Sequence, residues 1–303
     1  MKRLFFQFSA VCLLLLTFSF HCLGTDTYTL QLNLEKGKNY KQHFISDMSM
    51  TMNAMGQEIN IKLLSDLVIN FEIIAQNNDG YDILASYTKI KINTTIPGTS
   101  KVISIDSDSP ENSTDKKLYD TFHSIIGIPI TVQITRQGKI KYIDGTDNLT
   151  EKFDVIANEQ LRQVFSQQFT ESSFRTTLQH IIAYFPDKPV AINDSWDIDM
   201  IINSSGVNIL DKMHVTLKEV KDNIATLEDK GIFSTPEGGS TTQIQGVEAQ
   251  VSTTGEQTGL IYMDMRTGWL TRSEITHKYK ENIKFMGRDI VESFAVKTTV
   301  TAD

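Results

Sequence analysis

The sequence predicts an α+β fold that is mainly antiparallel β: long curved strands, half-barrel-like, in two pseudo-repeated β halves with about three helices inserted centrally. Three observations carry this. Apolar and polar residues alternate over long stretches such as "YTLQLNL" and "INIKLLSDLVINFEIIAQ", the period of strands with one buried face. Turn residues separate such stretches at short intervals, as in "AQNNDGYDILASYTKIKI", where glycine accepts the positive φ a tight hairpin demands. Between two blocks of this kind, apolar residues recur at helical spacing instead.

In chain order, "YTLQLNL" places Tyr28, Leu30, Leu32 and Leu34 on one strand face. The segment "DMSMTMNAMG" (47–56) holds four of the chain's ten methionines. Met48, Met50 and Met52 alternate with Ser49 and Thr51, so a strand would put the three thioethers on one face. A hairpin turning at Asn78, Asp79 and Gly80 follows. Ser109, Pro110 and Glu111 read as the start of a helix, with Ser as cap and Pro pre-set for the first turn. Leu118, Phe122, Ile125 and Ile126 share its face, and Gly127 with Pro129 ends it.

After the hairpin "ITVQITRQGKIKYIDG", Phe153, Ile156, Leu161, Val164, Phe165 and Phe169 form one helical stripe. Phe174, Leu178, Ile181, Ile182 and Phe185 form another, stopped at Pro186. Strands resume at "KPVAINDSWDIDMII". The stretch "DKMHVTLKEVKDNIATLEDKGIFS" repeats the design of residues 66 to 92, which points to an internal duplication of pattern. "PEGGSTTQIQG" reads as a flexible loop by composition, "GLIYMDMRTGWLTRSEITHKY" as a hairpin turning at Arg266 to Gly268, and "RDIVESFAVKTTVTA" as a last strand. One domain, 25–303, is expected, with β halves at 25–147 and 187–303 joined by a helical insert at 148–186.

The first residues point to export. Lys2 and Arg3 precede the apolar run "LFFQFSAVCLLLLTFSF", the layout of a secretory signal peptide over 1–24 with cleavage after Gly24. Lipid anchoring at Cys22 is the less favoured alternative, because His21 stands where a small residue is needed. Cleavage after Gly24 removes Cys12 and Cys22, the only cysteines, so disulfides and cysteine nucleophiles are not expected in the mature protein. The formal net charge is −8, and loss of Lys2 and Arg3 takes it to about −10. That charge disfavours nucleic acid as a partner. The mature chain contains no expected transmembrane segment.

Taken in order, "YTLQLNLEKGKNYKQ", "ITVQITRQGKIKYIDG", "PVAINDSW" and "TGLIYMDMRTGWL" resemble a family of secreted envelope proteins of Gram-negative bacteria defined only as a domain of unknown function. These are turn and strand signatures, so the resemblance carries over no functional residue. The layout is also similar to the LolA-type lipoprotein carriers, whose curved sheet shelters acyl chains, a likeness of fold alone.

Catalytic signatures are missing: the sequence contains no GxSxG, HExxH, GxxxxGK[ST] or strand-bound GxGxxG. No enzyme activity and no cofactor are expected; a hydrolase resting on scattered acids such as Asp194 and Asp197 is a remote third class. His43, His123, His180, His214 and His277 are spread singly over different elements, which disfavours a zinc centre. The acids of "SIDSDSPENSTD", Asp106, Asp108, Glu111 and Asp115, lack the glycine and closing Glu of a calcium loop, so a solvated loop favouring the next helix is the plainer reading. Met48, Met50 and Met52 could hold Cu(I). The same spacing equally suits an apolar wall, for which Met is well adapted, and Met263 and Met265 repeat it late in the chain.

The sequence therefore favours a non-enzymatic exported envelope protein, periplasmic or secreted, binding a lipid-like ligand in a cleft between sheet and helices. Met50, Met52, Ile61, Leu63, Phe122, Ile126 and Phe165 are its candidate lining, and no metal ligand is assigned. The alternative is a structural or protein-interaction module that engages another envelope protein, and a minor alternative is the Cu(I) protein.

Overall fold

A computed structural model describes residues 26–54, 57–95, 101–204, 207–244 and 246–302. The expected leader, Cys22 and Met55 lie outside the described residues. The first half contributes β1 (Thr27–Tyr28), β2 (Asn39–Ala54), β3 (Gln57–Gln76), β4 (Gly80–Thr95), β5 (Val102–Asp106), β6 (Ile130–Thr135) and β7 (Ile140–Asp144). Four α-helices interrupt the strands: α1 (Lys116–Ser124), α2 (Asp147–Thr150), α3 (Glu159–Gln167) and α4 (Glu171–Ile182). The second half supplies β8 (Val190–Ala191), β9 (Ser195–Ser204), β10 (Val207–Lys221), β11 (Ile224–Ser234), β12 (Ser240–Ile244), β13 (Val247–Asp264), β14 (Leu270–Phe285) and β15 (Arg288–Ala302).

One antiparallel sheet runs β7-β6-β4-β3-β2-β15-β14-β13-β11-β10-β9, with β5 added to β4 and β12 to β13. Each half is a meander of neighbouring hairpins. The last strand of the chain joins them: β15 pairs β2 from Val291↔Asn53 to Ala302↔Gln42. Consequently β7, which precedes α2 to α4, and β9, which follows them, are the two opposite edges of the sheet. The edges do not pair, so the sheet is curved but not closed into a barrel. Helix α4 lies against both β7 and β9, and Thr176 Oγ1 accepts a hydrogen bond from the edge backbone at Asn203 N (3.1 Å). An edge that would otherwise expose donors is thus partly covered by the helix that connects the halves.

Outward positions are polar, as at Lys278, Lys280, Asn282 and Lys284 of β14, all exposed, so this outer face meets water. Inward positions build the core. Bulges at Val68/Ile69 and Ile73/Ala75 interrupt the β3–β4 register and increase local bending and twist. No helix of the described residues is long and apolar enough to cross a membrane.

Several local expectations need correction. Of "YTLQLNL" only Tyr28 forms ladder, in β1. The residues beyond cross one end of the sheet as an extended segment that buries Leu30, Leu32 and Leu34. Its donors are satisfied by hairpin turns instead of a strand, Leu32 N by Arg136 O (2.8 Å) and Asn33 N by Thr267 O (2.8 Å). Tyr81 Oη donates to Leu32 O and accepts from Leu34 N, both at 3.1 Å. This segment closes one end of the fold, and Gly268 permits the approach: a Cβ there would lie 2.0 Å from Gln31 O, and its φ is +66°. Gly80 ends the expected hairpin, but for close approach more than turn conformation, since an added Cβ would lie 1.9 Å from Ile134 O.

The helix read from Ser109 is a 3-10 turn at Pro110–Asn112, and α1 begins only after Asp115, whose side chain accepts from Lys117 N and Leu118 N. The stripe from Phe153 to Phe169 is not one helix. A 3-10 turn at Glu151–Val155 ends at Ile156, and Asn158 caps α3 anew through Leu161 N. The glycine-rich stretch read as a loop contains β12, paired to β13 from Ser240↔Val251 to Ile244↔Val247.

Candidate functional site

The inward face of β2 carries Tyr40, Gln42, Phe44, Ser46, Met48, Met50 and Met52. Register places Met50 beside Ile61 and Phe294, and Met48 beside Leu63 and Val296. Helix α3 lies over this part of the sheet. Between them is a cavity of about 390 Å³ lined chiefly by Met48, Met50, Ile61, Leu63, Phe165, Ile283 and Phe294. Val164, Gln167 and Gln168 at the C-terminal part of α3, Ser173, Thr94, Val207, Thr242 and Ile244 complete it, together with Glu281 and Glu292. These positions lie toward the hairpin tips at the end of the sheet opposite residues 29–35. The size falls within the range of about 300–1,000 Å³ usual for small-molecule sites.

Of the seven lining candidates, the structure brings Met50, Ile61, Leu63 and Phe165 together on this cavity. Phe122 is fully buried in an aromatic cluster, with ring centroids 5.2 Å from Phe153 and Phe165 and 5.9 Å from Phe169. It backs the wall at Phe165 without reaching the cavity. Ile126 packs against the core just beyond α1, and Met52, half-buried opposite Ile59 and Glu292, is not part of the lining. A shared strand face was legible in the sequence, but how far the helices cover it was not. The three-thioether copper arrangement thus retains two of its sulfurs, Met48 and Met50, in one cavity.

Met48 also borders a second cavity of about 210 Å³ beneath α4, with His180, Phe233, His277 and Tyr279. The histidines expected to stand apart here approach each other, ring centroids 5.7 Å apart. Both Nε2 atoms are buried without a hydrogen-bond partner. Burial lowers His180 to about 4, and burial together with its neighbour His180 lowers His277 to about 3, so both rings are neutral at physiological pH. Ninety-odd residues separate them in sequence, and no local signal could have paired them. Among the described residues no group of three or more His, Cys, Asp or Glu could hold a metal ion.

Acids also enter the interior of the second half. Asp211 and Asp229 are fully buried, and Gln257 Nε2 donates to Asp229 Oδ2 (2.7 Å). Burial, then the neighbouring Asp229 and Asp199, pushes Asp211 up to about 8; burial pushes Asp229 to about 7 against the opposing Gln257 bond. Glu281 on β14 stands directly across from Glu292 on β15. Burial, with repulsion from Glu292, raises Glu281 to about 7, and burial raises Glu292. By contrast, the acids of the loop before α1 are locally occupied. Asp106 accepts from Asp108 N and pairs with Lys91 (3.2 Å), and Asp115 caps α1.

Other hollows are less enclosed or less apolar. A shallow one of about 570 Å³ lies on the outer face over Ser49, Gly255, Ser293 and Ala295. One of about 450 Å³ occupies the seam between β7, α4 and β9, bordered by Lys139, Arg175, Asp197 and Asp199. Neither tryptophan lines the main cavity. Trp269 is buried against Tyr40 and Phe71, 5.1 and 5.5 Å away, and Trp196 begins β9 half-buried.

Fold and site define a class: an open antiparallel half-barrel, filled by helices and retaining an apolar cavity at one end. The chain belongs to the Family of unknown function (DUF6263), which matches residues 78–270, from the β3–β4 turn to the start of β14. Comparison with curated proteins gives no match. Among solved structures, a BenF-like porin from Pseudomonas fluorescens Pf-5 is 5% identical, over 88% of this chain and 100% of that one, with a TM-score of 0.21. The COG4313 outer membrane channel from Pseudomonas putida F1 is 6% identical, over 90% and 97%, with a TM-score of 0.20. Superpositions this poor carry no argument about fold or function.

Proposed function

We propose that this is a non-enzymatic, exported envelope protein that holds a lipid-like ligand in the cavity between α3 and the inward faces of β2, β3, β14 and β15. The observation that carries this reading is the cavity of about 390 Å³ with Met48, Met50, Ile61, Leu63, Phe165 and Phe294 in its wall. A side chain against empty space forgoes dispersion contacts it would make in a packed core, so a ligand supplying those contacts is stabilised there. Unbranched thioethers adapt to chains of different shape. Export rests on the leader pattern, and the envelope setting on the sequence resemblance. The likeness to LolA-type carriers concerns layout and motivates the choice of probe.

The test is uptake of the neutral fluorophore N-phenyl-1-naphthylamine by the mature protein, with native mass spectrometry for co-purifying lipid. Saturable uptake that falls severalfold in Ile61→Trp, which fills the cavity, is expected. Absence of both uptake and co-purifying lipid overturns the reading.

A further inference from the structure

The main cavity is mostly apolar, with neutral polar groups from Thr94, Gln167, Gln168, Ser173 and Thr242, and one of its walls is acidic. Glu281 and Glu292 are directly opposed across β14 and β15, where facing Cβ atoms lie about 4.5–5.5 Å apart. Both line the cavity. Glu281 is 3% exposed, and its Oε1 is sealed from water with no hydrogen-bond partner. Among the described residues, no Lys, Arg or His lines this cavity. The molecule thus buries two like carboxyl groups side by side and supplies no cation of its own. Such an arrangement is costly without a partner: charged, the carboxyl groups lose hydration without compensation, and burial and mutual repulsion push Glu281 toward the neutral form instead.

The missing partner can be described chemically. It must donate hydrogen bonds to two carboxyl groups a few ångströms apart and carry positive charge, and its remainder must suit Met50, Ile61, Leu63 and Phe165. An ammonium offers three donors from a compact cation, and charge-assisted bonds to carboxylates are the stronger kind. A fatty acid or phosphate head would meet the same wall with repulsion. The volume lies near the small end of the range for ligand sites, which fits one chain better than two.

We propose that the cavity takes a single-chain amphiphile with an ammonium head, held between Glu281 and Glu292, its tail against the Met48–Met50 wall. This rests on the apolar-ligand reading above and narrows it to one charge class. Competition against the neutral fluorophore tests it with three twelve-carbon ligands, dodecylamine, dodecanol and laurate, on the full mature protein. Dodecylamine is expected to displace the fluorophore at a concentration at least about tenfold below that of laurate, an ordinary effect for a charge-assisted pair, with dodecanol between them. In the double variant Glu281→Gln/Glu292→Gln the amine-to-laurate ratio should collapse to within about threefold. Glu292→Gln alone, at the less enclosed member, should reduce it partway and guards against misfolding of the double variant.

Equal displacement by all three ligands, or tighter laurate, overturns the ammonium assignment while leaving the apolar-ligand reading intact. A ratio that persists in both variants overturns the roles of the two glutamates. Absence of both fluorophore uptake and co-purifying lipid in the unsubstituted protein overturns both readings.

Discussion

The two β halves share one sheet and one alternation of inward and outward residues, yet their interiors differ in kind. Inward positions of the first half meet an almost wholly apolar layer: Tyr87, Phe122, Phe153, Phe165, Phe169 and Phe174 form a continuous aromatic cluster, with Tyr87 and Phe169 centroids 5.3 Å apart. Inward positions of the second half include Asp211, Asp229, Thr253, Gln257, Ser273, His277 and Glu281, all buried. Each of these seven has at least one side-chain atom with no partner. A buried donor or acceptor of that sort costs about 1–3 kcal/mol. Both halves bury apolar side chains, but the second half gives up part of that stabilisation to polar groups in an enclosed space. Both cavities lie along the boundary between them, bordered by Met48.

The sharpest way to break this contrast is to remove an aromatic side chain from the first half. Phe122→Ala should destabilise by about 3–5 kcal/mol, the usual cost for a fully enclosed phenyl ring, read as a shift in urea midpoint at constant slope. A loss under about 1 kcal/mol would show that the cluster is not the stabilising layer.

In the second half the sign should reverse. Asp211 has a folded pKa raised to about 8 from an ordinary carboxyl value of 3.8, chiefly by burial. Its contribution is thus fully present below about pH 4 and lost as pH rises through about 8. The melting temperature of the unsubstituted protein should fall across the upper part of that window, helped by Asp229 and Glu281, which are raised for the same reason. Asp211→Asn should flatten the fall and melt a few degrees higher at pH 8. A melting temperature unchanged from pH 5 to 8 in both proteins would contradict the buried acid.

Histidine supplies a smaller effect of opposite direction. His277 has a folded pKa lowered to about 3 by burial and by His180. Its contribution is present above the unfolded value near 6.5 and is lost as pH falls toward the folded one. His277→Phe should therefore move the acid-unfolding midpoint to lower pH, followed by circular dichroism; an unmoved midpoint would mean that the ring titrates normally. The smallest effect belongs to Met52. Met52→Leu should leave fluorophore uptake within about twofold, because the side chain stands off the cavity wall and the swap conserves volume. Met50→Trp should reduce uptake severalfold. Equal responses at the two positions would place the site further toward the strand tip.

Much of the fold is written locally. Alternation in β2 and β3 identifies the buried face, Asn158 and Asp115 are recognisable caps once the helices are known, and turn glycines mark the hairpins. Of the seven residues chosen as cavity lining, Met50, Ile61 and Leu63 meet on one surface because strand pleating forces alternate side chains to the same side, and Phe165 reaches it from α3. Phe122 and Ile126 lie off this cavity for a physical reason. A side chain one layer behind a cavity wall is as apolar as the wall itself, and helical periodicity reports only the face that turns inward.

The sequence by itself determined most of which residues extend, where the main hairpins turn and which strand faces are greasy, since these depend on side chains a few positions apart. Only the tertiary structure decided that β15 closes against β2, that α4 spans the two free edges, and that residues 29–35 seal one end. The same long-range pairing sets His180 beside His277 and Glu281 against Glu292. Period-two alternation fixes the direction of a side chain but leaves open what it meets, because that depends on strands brought together from distant parts of the chain.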